Sequence, residues 1–272
     1  VNKFDSLVSF IIPYYNSGST IQETVDSIFN QSYENFDVWI INDGSTDLFS
    51  IEKLKEFENH PKINLLHQEN AGPSVARNLA LSFAKGQYIV SLDADDKIEY
   101  TTLIDSIKIF TLNQKVGVVY GNLQFFGENH KIKIQEEFSL EKQLLWNQIA
   151  VCCVIRKKVF EEVGSFDFHL SLLGLEDWEF WLRVGQTSWE FKKVEKVHFN
   201  IRVESNSRTF QVANKNIHEI KKYVCQKHAL LWVEMYDNMY YQNKMTAEMP
   251  DFKIGRIILA PYRFFKHKIF NR

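Results

Sequence analysis

Along the first hundred residues, short apolar runs alternate with stretches whose apolar residues recur every three or four positions. The runs at residues 8–12, 36–41, 63–66 and 88–92 are too short for helices and end in turn-forming residues, so each is predicted as a buried strand. Between them, one helix is predicted from Ile21, Val25 and Ile28 after a Ser19 or Thr20 cap. A second follows from Ile51, Leu54 and Phe57, and a third after Gly72-Pro73 from Val75, Leu79 and Phe83. Strands joined by helical crossovers imply a parallel sheet. The first strand is expected to end at Pro13.

After Asp96 the pattern loosens. A helix over residues 101–113, a strand over 116–120, a polar excursion over 125–138, a short helix over 178–184 and strands at 191–194 and 197–203 are predicted. A largely helical tail runs from about residue 213 to 245. The expected organisation is an α/β domain over residues 1–210, with a ligand-binding half at 1–100 and a second half at 101–210, followed by a helical extension at 211–272.

Composition narrows this picture. A chain of 272 residues that is 45% hydrophobic and 14% aromatic can bury a core of ordinary size. With 32 basic and 34 acidic residues it has no global field to gather a polyanion, so no nucleic-acid partner is expected. Cys152, Cys153 and Cys225 form no C-x-x-C, which argues against a disulfide framework or thiolate zinc and fits a reducing, cytoplasmic setting. No apolar run approaches the roughly 20 residues that span a bilayer, so neither a span nor a signal peptide is expected, although a start at Val1 also fits a trimmed chain. Residues 254–272 mix Ile, Leu and Phe with Arg256, Arg263, Lys266, His267, Lys268 and Arg272. That composition suits a helix lying on the inner face of a membrane, and equally an ordinary packing helix. No two histidines have the helical metal spacing, and His198, inside an apolar stretch, reads as structural.

In an open parallel sheet, ligands collect beyond the carboxyl ends of the strands. Pro13-Tyr14-Tyr15-Asn16, Asn42-Asp43-Gly44 and Asp93-Ala94-Asp95-Asp96 stand at three such ends. A nucleotide site gives them a common purpose, with Tyr15 lining a base pocket and Asp43 accepting from a base imino N–H. Three carboxylates within four residues repel one another unless a cation is present. Asp95, helped by Asp93, has the hard oxygens that suit magnesium or manganese, which would also take diphosphate oxygens, and Asp96 is placed toward the sugar. A solvated, helix-capping loop is the alternative, and the position at the ligand-binding edge argues against it. A second acidic site is Glu176-Asp177, before Trp178 and Trp181. Asp177 suits a general base tuned by partial burial, or a plain helix cap. Arg77 reads as a nucleotide contact or a helix-surface residue, and Arg202 with Ser205 and Ser207 as a phosphate grip or a polar loop.

Taken together, these residues resemble glycosyltransferase family 2, an inverting group with the GT-A fold. The resemblance covers residues 8–209 and rests on five ordered elements. They are Ile12-Pro13-Tyr14-Tyr15-Asn16, Asn42-Asp43-Gly44-Ser45-Thr46-Asp47, the N-A-G-x-x-x-A-R-N stretch from Asn70 to Asn78, Leu92-Asp93-Ala94-Asp95-Asp96, and Glu176-Asp177. It implies a Rossmann-like, mostly parallel central sheet flanked by helices. It also implies transfer of a sugar from a nucleoside diphosphate donor, with uridine diphosphate the commonest, to a hydroxyl of a glycan or lipid-linked acceptor. Pro13, Tyr15, Asp43 and Arg77 would hold the nucleotide, and Asp93 and Asp95 would serve ribose, Mn2+ or Mg2+, and diphosphate. Asp96, Glu176, Trp178 and Arg202 would contact substrate, and Asp177 would be the base of a single inverting displacement. Two features depart from the family pattern. Glu204 stands where an Arg-x-His pattern would place His, and the Gln-x-x-Arg-Trp of processive synthases is missing, which favours transfer of one sugar per encounter. The alternatives are a non-catalytic sugar-nucleotide binding protein and a sugar nucleotidyltransferase, for which no glycine-rich phosphate loop is visible. A nicotinamide dehydrogenase lacks its G-x-G-x-x-G fingerprint.

Overall fold

The structure is a computed structural model that describes residues 6–171, 173–204, 212 and 215–248. Strands β1 (Val8–Tyr14), β2 (Phe36–Asp43), β3 (Ile63–Gln68) and β4 (Tyr88–Ser91) alternate with helices α1 (Ile21–Phe29), α2 (Leu48–Lys55) and α3 (Pro73–Phe83). The four strands lie in the order β3-β2-β1-β4, all parallel, as the alternating pattern predicts. Beyond β4 come β5 (Lys97–Ile98), α4 (Thr102–Leu112), β6 (Val116–Gly127), β7 (Ile132–Lys133), α5 (Leu140–Leu145), β8 (Val154–Arg156), α6 (Lys157–Val163), α7 (Glu176–Gly185) and β9 (Glu190–Val203). They extend the sheet through β8, β6, β9 and β5, with β7 paired to β6. Here β8 runs antiparallel to both β4 and β6, and β5 antiparallel to β9, so the sheet turns mixed where helical crossovers no longer connect neighbouring strands.

The chain divides into two compact units, the first ending at Lys221 and the second beginning at Lys222. Helices α8 (Ile217–Lys227) and α9 (Ala229–Glu248) account for the expected helical tail. Ser205, Ser207 and the basic segment 254–272 lie outside the described residues. No helix among the described residues is long and apolar enough to cross a membrane.

Alternation along the strands builds a core on each face of the sheet. Phe10 and Ile12 of β1 join Ile21, Val25 and Ile28 of α1 and Leu103, Ile107 and Phe110 of α4 on one side. Ile11 joins Ala76 and Ala80 of α3 and Phe180, Trp181 and Val184 of α7 on the other.

Three local expectations are corrected. First, β1 does not stop at Pro13. It stays in register with β2 to Tyr14, whereas its ladder to β4 ends at Ile11 opposite Ser91. The carbonyl of Ile11 bonds the Leu92 amide, so Pro13, two residues on, turns its donorless nitrogen toward the side where no strand remains. Second, the two strands expected near the end of the domain are one, β9, whose pairing with β6 shifts register on the way. Third, α3 does not centre its buried face on Val75, Leu79 and Phe83: the first two are only half-buried, and Leu79 packs at the core's margin. Its inner face carries Ser74, Ala76, Arg77 and Ala80, while Phe83 is 49% exposed and stacks on Trp39. Small side chains let the helix settle close to β1 and β2 and turn one long polar side chain inward.

Candidate active site

The strand order reverses at β1: the chain winds from β1 to β2 and β3 on one side, then returns to place β4 on the other. Such a switch point opens a crevice, because the loops leaving the two neighbouring strands depart in opposite directions. A cleft of about 900 Å³ opens there, lined among others by Pro13, Tyr15, Asp43, Arg77, Asp93, Asp95, Asp96, Glu176, Asp177 and Arg202. Ten of the eleven site positions nominated from the sequence therefore share one cavity, and only Trp178 stands apart.

Side chains from one strand end cap the backbone of the next. The Asn16 carboxamide oxygen accepts from the amides of Thr46 and Asp47 at 2.9 and 3.0 Å, Asn42 Oδ1 accepts from Ser45, and Asp47 caps α2 by accepting from Ser50. Asp43 holds the third loop. Its Oδ1 accepts from Gln68 Nε2 at 2.7 Å and the Ala71 amide at 2.8 Å, and its Oδ2 from the Gly72 amide at 2.9 Å. Gly72 has φ +87° and a Cβ there would lie 2.5 Å from the Ser171 carbonyl oxygen, so glycine is required for this approach. A carboxylate offers about four lone-pair sites. Oδ2 of Asp43 therefore keeps capacity for a further donor. Tyr15, 46% exposed, stands beside it at the cleft wall.

Arg77 is no surface residue. It is 2% exposed and its guanidinium pairs through Nη2 with Asp93 and through Nη1 with Glu176. Burial opposes its charge, but the two carboxylates more than offset that and hold it protonated. One arginine thus ties the acidic loop after β4 to the first turn of α7.

Asp95 has no such partner. Burial and the negative charge of Asp93, with a smaller addition from Glu204, push its carboxyl up to about 6 against the opposing charge of Arg202. Asp96 is buried deeper and lies well above the ordinary carboxylate range for the same reason, with Asp95 and Asp93 as neighbours. Its Oδ1 accepts from the Arg202 amide at 2.8 Å and its Oδ2 lies 3.6 Å from the Cys152 thiol. Arg202 also donates from Nε to the Asp95 carbonyl at 3.2 Å and pairs with Glu23. The Thr20 hydroxyl, at the start of α1, donates to the Ala94 carbonyl at 2.9 Å, so the loop backbone is anchored while its Asp95 carboxylate is left under-neutralised.

Asp177 is not the helix cap. The cap of α7 is Leu175, a left-handed residue at φ 58°, and this turn sets Glu176 and Asp177 in the first helical turn at the cleft. Left-handed backbone costs a non-glycine residue roughly 1–2 kcal/mol, a strain that functional sites concentrate. Asp177 accepts from Asn147 Nδ2 at 2.8 Å and from the Trp178 amide at 2.9 Å. Burial and the adjacent Glu176 raise its carboxyl to about 7.

The profile described as Glycosyl transferase family 2 matches residues 9–164, more than half of the chain. The chain belongs to glycosyltransferase family 2. Over 116 residues it is 40% identical to the uncharacterized glycosyltransferase YibD of Escherichia coli, covering 42% of this chain and 33% of that protein. Over a similar 116 residues it is 42% identical to the chondroitin synthase of Pasteurella multocida, covering 12% of that much longer protein. The chain thus spans about a third of YibD and far less of the synthase. Among solved structures, TarS 1–349 of S. aureus in complex with UDP-GlcNAc superposes with TM-score 0.63 at 20% identity, over 75% of this chain and 61% of that one, and carries the GT-A-like α/β fold.

One placement departs from the sequence assignment within this family frame, and one, His198, agrees with it. Trp178 does not line the cleft. Its indole is buried and donates from Nε1 to the Gln143 carbonyl, fixing the segment before β8 to α7. His198 is fully buried with neither ring nitrogen hydrogen-bonded, and burial lowers it to about 4, as befits a structural residue. Sequence reasoning also missed Asn147, which touches Asp177 from 30 positions away and carries no local signal.

Among the described residues, no three metal-type side chains converge on one point. The negative charge crowding Asp95 nevertheless fits a hard divalent ion that takes one or two carboxylates and completes its shell with phosphate oxygens and water.

Proposed function

We propose that the protein transfers a sugar from a nucleoside diphosphate donor, a UDP-sugar first among candidates, to an acceptor hydroxyl with inversion at the anomeric carbon. The observation that carries this reading is the sharing of one cleft, at the switch point of the sheet, by the Asp93-to-Asp96 loop and the Glu176-Asp177 pair. The UDP and UDP-GlcNAc complexes of the structural neighbour TarS support the donor class.

In this reading the shared cleft supports the following roles. Tyr15 and Pro13 flank the base, and the spare lone pair of Asp43 Oδ2 accepts its imino N–H. Arg77 keeps Asp93 at the ribose side and Glu176 at the acceptor side. Asp95, with Asp93, would hold Mn2+ or Mg2+, which would neutralise charge on the departing diphosphate. Asp177 takes the acceptor proton as the acceptor oxygen bonds the anomeric carbon. The bond from that carbon to the diphosphate oxygen breaks with its electron pair, releasing the nucleoside diphosphate. A carboxyl raised to about 7 is matched to this task near neutrality. Asp96, sealed against Arg202 and Cys152, shapes the sugar pocket.

Nucleoside diphosphate release, measured with a panel of UDP-, GDP- and dTDP-sugars and manganese, tests the reading. Asp177→Asn should lower turnover about 10²- to 10⁴-fold while leaving nucleotide affinity unchanged. Undiminished turnover in that variant would remove Asp177 from the mechanism.

A further inference from the structure

Between α5 and β8, residues 146–153 cross the cleft wall, and the polarity of the hydrogen bonds there can be read without ambiguity. The amide of Gln148 can only donate, and it donates to Gln143 Oε1 at 3.0 Å. That fixes the Gln143 carboxamide, so its Nε2 is the atom facing Asn147 Oδ1 at 3.1 Å and the Trp178 carbonyl at 3.3 Å. With its oxygen engaged, Asn147 presents Nδ2 to Asp177 Oδ2 at 2.8 Å. A backbone N–H thus dictates, through two carboxamides, that Asp177 receives a donor. Gln143 is fully buried, and Trp178 Nε1 to Gln143 and Trp181 Nε1 to the Ile149 carbonyl at 3.0 Å clamp this segment on α7.

From this directed chain we infer that Asn147 is a positioning residue for the reaction: it orients the Asp177 carboxylate and stabilises its ionised form, with Gln143 setting the direction of the hydrogen bond. The inference rests on the reading of Asp177 as the base. The charged and titratable groups facing Asp177 are Glu176 on its own helix, Arg77 from α3 and the Cys153 thiol before β8. Glu176 opposes ionisation and is already committed to Arg77. Cys153 is buried and remains a neutral thiol. Arg77 favours ionisation, but its two pairing nitrogens are spent on Asp93 and Glu176. Asn147 is therefore the one side chain among the described residues that bonds the Asp177 carboxylate directly.

The pH dependence of kcat for the full chain tests this, with Asn147→Ala, the near-isosteric Asn147→Asp and Asp177→Asn measured beside the wild type. A hydrogen bond to a charged group is large enough to move a carboxyl by about 1–2 pH units. The acidic limb of Asn147→Ala should move up by about that much, with turnover reduced roughly tenfold or more at pH 6.5 and recovered near pH 9. Asn147→Asp, which adds a second carboxylate, should move it further. KM for the donor should stay constant in both. Turnover lowered equally at every pH, or an acidic limb coincident with the wild type, would overturn the positioning role. If Asp177→Asn keeps wild-type turnover, it is the reading of the base that fails. If Asp177→Asn is inactive and the limb of Asn147→Ala does not move, the base stands and Asn147 is only structural. Should Asn147→Ala melt below the assay temperature, the Asp variant, which preserves the side-chain shape, decides the question alone.

Discussion

The acidic loop after β4 and the first turn of α7 share one arrangement and differ in its finish. In each, Arg77 neutralises one carboxylate, Asp93 in the loop and Glu176 in the helix, and the loop carries Asp96, sealed by the Arg202 amide, as a third. The remaining carboxylate, Asp95 or Asp177, forms no ion pair among the described residues and is raised to about 6 and about 7 respectively. The difference lies in what surrounds these two. Asp95 has further negative charge from Asp93 and Glu204, only partly offset by Arg202, an environment that a divalent cation relieves. Asp177 has neutral donors, the Asn147 carboxamide and the Trp178 amide, an environment suited to taking and releasing a proton. Desolvation raises both carboxylates, and the company each keeps assigns it a different chemistry.

Removing the shared cation should do the greatest damage. Arg77→Met removes the cation that pairs with buried Glu176 beside Asp177, and breaking a buried pair costs about 3–5 kcal/mol. Urea unfolding at pH 8 should show that loss. Arg202→Met is the control. Its ion-pair partner Glu23 is about half exposed, so the cost should stay near 1 kcal/mol or below. Equal losses in the two variants would mean that Arg77 does not divide the acidic pairs.

How much of this was legible in the sequence follows the distance over which each feature is decided. The strands β1 to β4 and the motifs at their ends are local: apolar runs bounded by turn residues, with Asn42 and Asp47 capping their own loops three residues on. Arg77 was visible in its motif, but its burial was not, because the apolar stripe of α3 pointed to Val75, Leu79 and Phe83 while the inner face is made of small residues. The acceptor side was legible only at Glu176-Asp177. Its supporting groups, Gln143 and Asn147, sit in an irregular segment with no period, and only packing against α7 gives them a meaning.

A titration sharpens the contrast between the two raised carboxylates. Both lie above their unfolded values, so the folded protein holds protons that the unfolded chain has already released. The associated stability is fully present below about pH 4 and is lost as pH rises through about 6 for Asp95 and about 7 for Asp177. Thermal melting without ligand should therefore find the Asp95→Asn, Asp177→Asn double variant more stable than the wild type at pH 8 by about 1–3 kcal/mol, with no difference near pH 4. Manganese distinguishes the two positions: it should raise the melting temperature of Asp177→Asn and leave Asp95→Asn unmoved. Equal stabilisation of both single variants would place the ion elsewhere.

The smallest expected effect separates support from contact on the acceptor side. The family resemblance sets Trp178 against substrate, yet helix geometry turns consecutive residues about 100° apart, and the step from Asp177 carries the indole away from the cleft into the core. Trp178→Phe keeps most of the buried ring and loses the Nε1 bond to Gln143, a cost of about 1 kcal/mol. Because that bond holds Gln143 and thereby Asn147, the acidic limb of the pH profile should shift slightly upward while KM for donor and acceptor stays put. An increase in acceptor KM with stability unchanged would instead put the indole against substrate. The variant thus asks whether the aromatic ring beside the base acts by touching the sugar or by holding the amide relay that faces the carboxylate, and the buried position of the ring predicts the second.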